Sequence, residues 1–338
     1  MTPQLLDILR QLSHEDFRSG EEVARRLRIS RASVHNAVHE AESLGLRVQA
    51  VRGRGYRLAL PVTWLDVEAF APPFSGCGVV AQRADTLDST NAHLMLQAQS
   101  GAAHKSLVAA EWQGKGRGRR GRIWLAGLGG GLMFSLLWRF NRPASELSGL
   151  SLVVGLGLAQ VLRDLGLQRA SVKWPNDILV DGAKLAGVLI ELAGDMLGPS
   201  VAVIGVGVNV LGAESLRGAL EQPVTDLSEH LPGSALDRNV LLREMVLRLN
   251  DSLERFDRDG FSPFRQDWEA FHAHQNQPVH LLTGLGERIS GNAVGVDDGG
   301  ALLLATESGV QRFHSGEVSL RSAAGCAVAP ALHDEGAP

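Results

Sequence analysis

The sequence predicts three folded units in series. These are a winged helix-turn-helix over residues 1–60, an α/β or α+β domain over 65–275, and a small β-barrel over 276–322, with a disordered tail over 323–338. Three observations carry this reading. The first sixty residues combine helical spacing of apolar positions, two serine caps and an arginine-tipped hairpin pattern. Through the middle, apolar runs of strand length alternate with helical periods. Short strands separated by glycine turns finish the chain.

In the first unit Leu5, Leu6, Ile8, Leu9 and Leu12 recur at helical spacing, and Ser19 with Glu22 reads as a capping box for a helix through Leu27. Ser30 caps a third helix that buries Val34, Ala37, Val38, Ala41 and Leu44 and stops at Gly45. Its other face carries Arg31, Ser33, His35, Asn36 and His39, short polar and basic side chains suited to base edges in a major groove. Val48 to Leu60 alternates around Arg52-Gly53-Arg54-Gly55, a hairpin with arginines at its tip. Residues 1–60 hold ten arginines against seven acids, a net of +3 on a chain of net −4. A basic module on an acidic body is the footprint of a DNA-binding attachment.

Pro61 to Trp64 forms a short linker, and Pro72-Pro73 with Gly76 and Gly78 breaks the chain again. Strands are predicted at 107–112, 131–140, 172–173, 178–180, 185–192 and 201–208, and helices at 90–99, 146–165 and 239–256. From Pro278, turns are predicted at Gly284, Gly291, Asp297 to Gly300 and Gly309, with the last strand ending at Leu320. The tail is rich in alanine, proline and glycine.

The stretch Gly114-Lys115-Gly116-Arg117-Gly118-Arg119-Arg120-Gly121-Arg122 packs five cations and four glycines into nine residues. Guanidinium forks suit phosphate and carboxylate oxygens, and glycine lets backbone approach a ligand. Mutual repulsion and glycine entropy predict that this loop is ordered by its ligand. Only four of the 33 basic residues are lysines, and three of them, Lys115, Lys173 and Lys184, fall inside motifs. No run approaches the roughly 20 apolar residues of a membrane span, and no signal segment opens the chain, so a cytoplasmic protein without membrane association is expected. Cys77 and Cys326 are isolated, which predicts neither disulfide framework nor zinc site. His35 and His39 at i, i+4 are read as a surface or DNA-facing pair, and His272 and His274 as pointing apart on a helix.

Four further motifs accompany the loop: Asp88-Ser89-Thr90-Asn91 at a helix start, Lys173-Trp174-Pro175-Asn176-Asp177 after a strand, Lys184-Leu185-Ala186-Gly187, and Gly205-Val206-Gly207-Val208-Asn209, whose glycines admit a ligand to the backbone. In this order they resemble the biotin protein ligases, and with the winged helix they resemble the bifunctional members that also repress transcription. The resemblance runs from Leu5 to Arg321. It implies an α/β (α+β) ligase core, a carboxy-terminal SH3-like barrel, and formation of biotinyl-5′-AMP from biotin and ATP, with transfer to one lysine of biotin carboxyl carrier protein.

By that similarity Ser89, Thr90, Asn91 and Gln113 meet the ureido ring and Trp124 covers the apolar side. Arg117, Gly118 and Arg119 lie along the carboxylate and α-phosphate, with Arg120 and Arg122 assisting phosphate binding. Lys184 stands between carboxylate and phosphate, and Lys173 makes a second phosphate contact. Asn176, Asp177 and Asn209 serve the nucleotide and its Mg2+, Asp177 being also a candidate base. The segment from Leu211 to Gln222 has no aromatic residue, so Leu211, Leu216 and Leu220 are assigned to cap the adenine. Partners implied are the carrier protein, operator DNA of biotin genes, and a second copy once the adenylate is bound. That dimer is expected to use the arginine loop, Asn141 to Leu147 and Ala193 to Pro199. Competing readings are a ligase without operator binding and a non-catalytic biotin sensor. A sensor of a neutral ring needs neither Lys184 nor the arginine loop.

Overall fold

The structure is a computed structural model that describes residues 2, 4–66, 74, 76–194, 199–217, 222–232, 236–283, 287–315 and 318–322. The predicted tail, the turn at Gly284, Leu220 and residues 195–198 lie outside the described residues, as does the side chain of Leu216.

Helices α1 (Leu5–Leu9), α2 (Gly20–Leu27) and α3 (Arg31–Ser43) are followed by the hairpin β1 (Val48–Val51) and β2 (Gly55–Leu58). Ser19 accepts from the Glu22 N–H at 3.0 Å and Ser30 from the Ser33 N–H at 3.0 Å, so both predicted caps form. The α3 face of Val34, Ala37, Val38 and Ala41 is buried with Leu5, Leu6, Ile8 and Leu9 in a cluster separate from the main core, which Leu128 of the ligase region also joins.

The central sheet has the strand order β3-β4-β5-β9-β8-β7-β6. Its members are β3 (Val80–Leu87), β4 (Ser106–Gln113), β5 (Gly131–Phe140), β6 (Ala170–Lys173), β7 (Asp177–Val180), β8 (Ala183–Gly194) and β9 (Ser200–Asn209). Only β3 and β4 run parallel, which makes the domain α+β in pairing. Helix α4 (Thr90–Gln99) supplies Leu94 to a small cluster with Val108, Leu137 and Val203. Helices α5 (Leu150–Asp164) and α6 (Arg238–Asp259) belong to the main core. That core continues through α7 (Arg265–Phe271) into the carboxy-terminal sheet.

Strand β3 and helix α7 were not predicted. The first is an edge strand of mixed polarity, with no continuous apolar run, and the second is only seven residues long. The helix expected from residue 146 starts at Leu150, because Pro143 leads into a separate 3-10 turn at Ala144–Glu146. Helix α7 ends before His272, whose ring stacks on Trp268 at 4.6 Å and approaches His274 at 6.0 Å, so these two histidines do not point apart on a helix.

Strands β10 (Pro278–Thr283), β11 (Arg288–Val296), β12 (Leu302–Thr306), β13 (Gly309–Phe313) and β14 (Val318–Ser322) form an antiparallel sheet ordered β13-β12-β11-β10-β14. Gly291, expected at a turn, lies inside β11 opposite Val279, since a Cβ there would come within 2.5 Å of the Ala305 carbonyl oxygen. The sheet is tied to α7 where the Val296 N–H donates to Glu269 at 3.1 Å.

The linker from the winged helix is clamped. Arg238, 1% exposed, donates to the Thr63 carbonyl at 2.7 and 2.9 Å, to the Gly131 carbonyl at 2.9 Å and to Glu111 at 2.6 Å. Glu111, fully buried, accepts from the Leu65 N–H at 2.5 Å. Removing one partner of a buried ion pair strands the other charge in low dielectric, so Glu111→Ala is expected to cost about 3–5 kcal/mol. Urea unfolding of the full chain measures this; a loss below about 1 kcal/mol would mean that water reaches Arg238.

Candidate functional site

One face of the central sheet carries a cavity of about 500 Å³ that gathers fifteen residues assigned to biotin, phosphates and nucleotide, but not Leu211, assigned to cap the adenine, which packs against the main core. Its wall comes from the start of α4, the ends of β4 and β9, the 114–122 loop, the β6–β7 turn and the first residues of β8.

At one end lie uncharged polar groups. The Thr90 N–H donates to Gln113 Oε1 at 2.7 Å, and Ser135 Oγ sits 2.8 Å from Thr90 Oγ1 and 2.6 Å from Asn91 Oδ1. Asn91 Nδ2 donates to the Leu189 carbonyl at 3.2 Å and to Glu191 at 2.9 Å, and Glu191 pairs with Arg117 at 2.9 Å. Ser89, 5% exposed, accepts from the Ala92 N–H as the cap of α4, which leaves its hydroxyl proton free to donate. Ser135 and Glu191 were missed by sequence reasoning. A serine in the middle of the apolar run 132–138 of β5 is the signal that could have found the first.

Trp124 separates this end from the charged one. Its ring lies on the cross-strand pair Gly187 and Gly207, where an added Cβ would stand 3.4 Å and 2.4 Å from the indole. Asn91 fills the space over Gly205 in the same way, with a Cβ there coming to 2.1 Å. The glycines expected to admit a ligand thus admit these two side chains. Trp124 Nε1 is buried without a hydrogen-bond partner.

The other end is cationic. Lys184 Nζ is 2.6 Å from Asp177 Oδ1 and 5.7 Å from the centre of the Trp124 ring. Arg119 donates to Asn176 Oδ1 at 3.1 Å and to the Ser315 carbonyl of the carboxy-terminal unit. Asn176 Nδ2 donates to the Val188 carbonyl at 2.8 Å, and Asn209 Nδ2 to the Thr225 carbonyl at 3.0 Å. Arg120, Arg122 and Arg321 complete the lining. Arg321 was assigned no role from sequence, because nothing local marks it. Burial pushes the Lys173 ammonium down to about 8, with Asp177 opposing and Arg321, Lys184 and Arg122 adding to the fall.

The arginine loop is closed on itself by backbone hydrogen bonds. It is a narrow hairpin closed by Trp124 N–H to Gly116 at 2.9 Å and Gly118 N–H to Arg122 at 2.7 Å, with Arg120 at φ 58° in its tip. Three of its five cations rest on protein partners, Lys115 on Asp88, Arg117 on Glu191 and Arg119 on Asn176, while Arg120 and Arg122 still repel the Arg119 guanidinium. Among the described residues no group of three or more histidine, cysteine, aspartate or glutamate side chains could hold a metal ion. Asp177, the carboxylate assigned to magnesium, is already paired with Lys184.

On the winged helix, Arg31, His35, Asn36, His39, Arg52 and Arg54 are exposed and Ser33 is half-buried against Ser30, 2.9 Å away. His35 and His39 meet at 3.1 Å, and His35 also reaches the Tyr56 hydroxyl at 3.4 Å. Arg54 and Arg57 stack over Phe17 at 4.6 and 4.7 Å. Phe17 and Tyr56 therefore set the shape of a face that sequence reasoning built from α3 and the hairpin tip alone.

A chain that sets a winged helix beside a polar-to-cationic cavity matches known proteins along its whole described length. Residues 84–209 match the Biotin/lipoate A/B protein ligase family, 274–321 the biotin protein ligase C terminal domain and 4–57 an HTH domain. The chain belongs to the biotin protein ligases. It is 36% identical over 321 residues to the bifunctional ligase/repressor BirA of Salmonella typhimurium, covering 94% of this chain and 98% of that one. The biotin--[acetyl-CoA-carboxylase] ligase of Paracoccus denitrificans is 35% identical over 240 residues, covering 68% of this chain and 96% of that one. The biotin protein ligase of Aquifex aeolicus, solved in complex with biotin and ATP, superposes with a TM-score of 0.61 at 31% identity over 72% of this chain and 98% of that chain.

Lys173 titrates below its unfolded value near 10.4, so between pH 8 and 10.5 the unfolded chain binds more protons than the folded one. Stability of the ligand-free chain therefore rises with pH across that window, and the ammonium is a cost below it. Lys173→Met is expected to stabilise the chain at pH 7 by on the order of 2 kcal/mol and to abolish the rise. Denaturation midpoints at pH 7 and 10 measure both; equal pH slopes in the variant and the parent contradict the assignment.

Proposed function

We propose that the chain activates biotin with ATP to biotinyl-5′-AMP, transfers the biotinyl group to one lysine of biotin carboxyl carrier protein, and in its adenylate-bound form represses biotin genes as a dimer on operator DNA. The observation that carries this reading is one cavity running from uncharged donors, past an indole, to six clustered cations. Such a gradient fits a neutral bicyclic ring whose carboxylate tail meets a triphosphate.

A carboxylate oxygen attacks the α-phosphorus and pyrophosphate leaves. Two anions must approach, and the transition state spreads charge over phosphoryl oxygens, so fixed cations are the main requirement. Ser89, Thr90, Asn91 and Gln113 form the ureido end, with Trp124 over the apolar part. Lys184 leaves Asp177 to stand between carboxylate and α-phosphate, while Arg117 and Arg119 exchange Glu191 and Asn176 for ligand oxygens. Lys173, Arg120 and Arg122 take the remaining phosphate charge, and Asn176, Asp177 and Asn209 face the nucleoside. Magnesium enters as the counter-ion of ATP, part of the substrate. Once Lys184 has moved, Asp177 is free to accept the proton of the acceptor amine, which attacks the acyl carbon and expels AMP. The mixed anhydride is the activated species, so no enzyme nucleophile is required.

Repression rests on the exposed arginines of α3 and the hairpin, in a unit bounded at residues 1–60 beside ligase and SH3-like units over 65–275 and 276–322. A single winged helix is a small contact, so two copies on a two-fold site supply the affinity. Exchange of arginine partners on adenylate binding alters the loop surface, and with Asn141 to Leu147 and Ala193 to Pro199 that surface forms the dimer. These activities place the protein in the cytoplasm.

ATP-dependent transfer of labelled biotin to a purified carrier domain tests the ligase directly; no labelling with both substrates present refutes it. Lys184→Ala is expected to lower adenylate synthesis by about 100-fold or more, because no other ammonium stands at that point. Synthesis near the parent rate at saturating ATP would remove Lys184 from the mechanism. For repression, sedimentation should show dimer only with biotinyl-AMP, and Arg31→Ala with Arg54→Ala should weaken operator binding by about tenfold or more while labelling continues. DNA binding indifferent to both arginines would leave only the ligase.

A further inference from the structure

Between Trp124 and strand β5 the chain makes an excursion out of the ligase core. Leu128, four residues past Trp124, is 1% exposed, yet it is buried with Leu5, Leu9, Val38 and Ala41 of the winged helix. Its N–H donates to the Leu44 carbonyl at 2.9 Å, and Leu44 is the C-cap of α3. Carbonyls at a helix end lack partners within the helix, so the ligase core supplies the last cap of the recognition helix. Backbones touch as well: a Cβ on Gly45 would stand 3.1 Å from Gly127 Cα, and one on Gly127 would stand 3.3 Å from the Gly45 carbonyl oxygen.

The excursion is pinned on both sides. Upstream, the Trp124 N–H closes the arginine hairpin on Gly116 and its ring lies on Gly187 and Gly207. Downstream, the Gly130 carbonyl accepts from Val210 and Leu211 at 2.9 and 2.8 Å, and the Gly131 carbonyl from Arg238. Three residues, Leu125 to Gly127, span the gap between the indole and the helix cap. A span that short has little slack, so the indole and the end of α3 move together.

We infer that Leu128 is a positioning residue for biotin, which uses the winged helix as the anchor for Trp124 and couples the biotin end of the cavity to the recognition helix within one chain. The inference rests on the biotin-ligase reading given above. Coupling of this kind is reciprocal and needs no second copy, so it precedes any dimer.

The test uses the full chain with Leu128→Ala, Leu128→Met and Gly127→Ala, labelling a carrier domain with biotin and ATP. Leu128→Ala is expected to raise KM for biotin about threefold to tenfold with kcat within about twofold of the parent, the range of coupling changes that residues off both sites produce. Leu128→Met, which refills the same space, should restore KM to within about twofold. Gly127→Ala, which keeps Leu128 and moves the two backbones apart by tenths of an ångström, should shift KM in the same direction and covers the case in which Leu128→Ala does not fold. Hydrogen exchange of the amides of residues 44–46 should slow on addition of biotin and ATP to the parent and stay unchanged in Leu128→Ala. Unchanged KM in both Leu128→Ala and Gly127→Ala, loss of kcat alone, or an exchange response that persists in Leu128→Ala overturns the inference. A parent chain that never labels the carrier overturns the ligase reading instead, so the two failures are distinct.

Discussion

The buried pair of Glu111 and Arg238 is the constraint on which the arrangement of this chain depends. It joins the first residue of α6 to strand β4, and through the Thr63 and Gly131 carbonyls it also holds the incoming linker and the start of β5. Glu111 lies two residues before Gln113, at the uncharged end of the cavity. A charge pair taken out of water is expensive, and it persists here because each carboxylate oxygen and each donor group has a partner. What it secures is orientation: the connection between the winged helix and the ligase core is fastened to the strand that brings Gln113 to the cavity.

In and beside the cavity, three cations rest on acids of the protein. Lys184 rests on Asp177, Arg117 on Glu191 and Lys115 on Asp88. Lys173 lacks so close an acid and shows the consequence in its depressed titration. These acids lower the self-repulsion of the cationic cluster.

Much of this was legible in the sequence, and the exceptions share a physical cause. The Ser19 and Ser30 caps, the hairpin at Arg52 to Gly55 and strand β5 are local signals of capping, turn chemistry and apolar runs, and they form where expected. The residues of the short motifs assigned to the cavity line it, because they sit at strand ends that the sheet order brings to one face, whereas Leu211, assigned to the adenine, packs against the main core. The partners of those residues were not legible. Ser135, Glu191, Arg321 and the Ser315 carbonyl come from distant segments, and their relevance exists only after β5, β8 and the carboxy-terminal sheet have paired. The glycines of Gly205 to Asn209 were read for their permissiveness alone, whereas it is the side chains of Asn91 and Trp124 that occupy the room they leave. The loop was judged by its own charges, and its neighbours decide its conformation.

The indole over Gly187 and Gly207 also makes the molecule its own optical probe. Of six tryptophans, Trp138 and Trp268 are sealed in the core away from the cavity, while Trp174, equally buried, lies in its wall. Trp124 has a buried Nε1 without a hydrogen-bond partner and an ammonium 5.7 Å from its ring centre, both of which shift indole emission. Any change in the position of the Lys184 ammonium changes the field on that ring, so intrinsic fluorescence in a stopped-flow instrument is the natural way to look for occupancy of the cavity in the unlabelled chain.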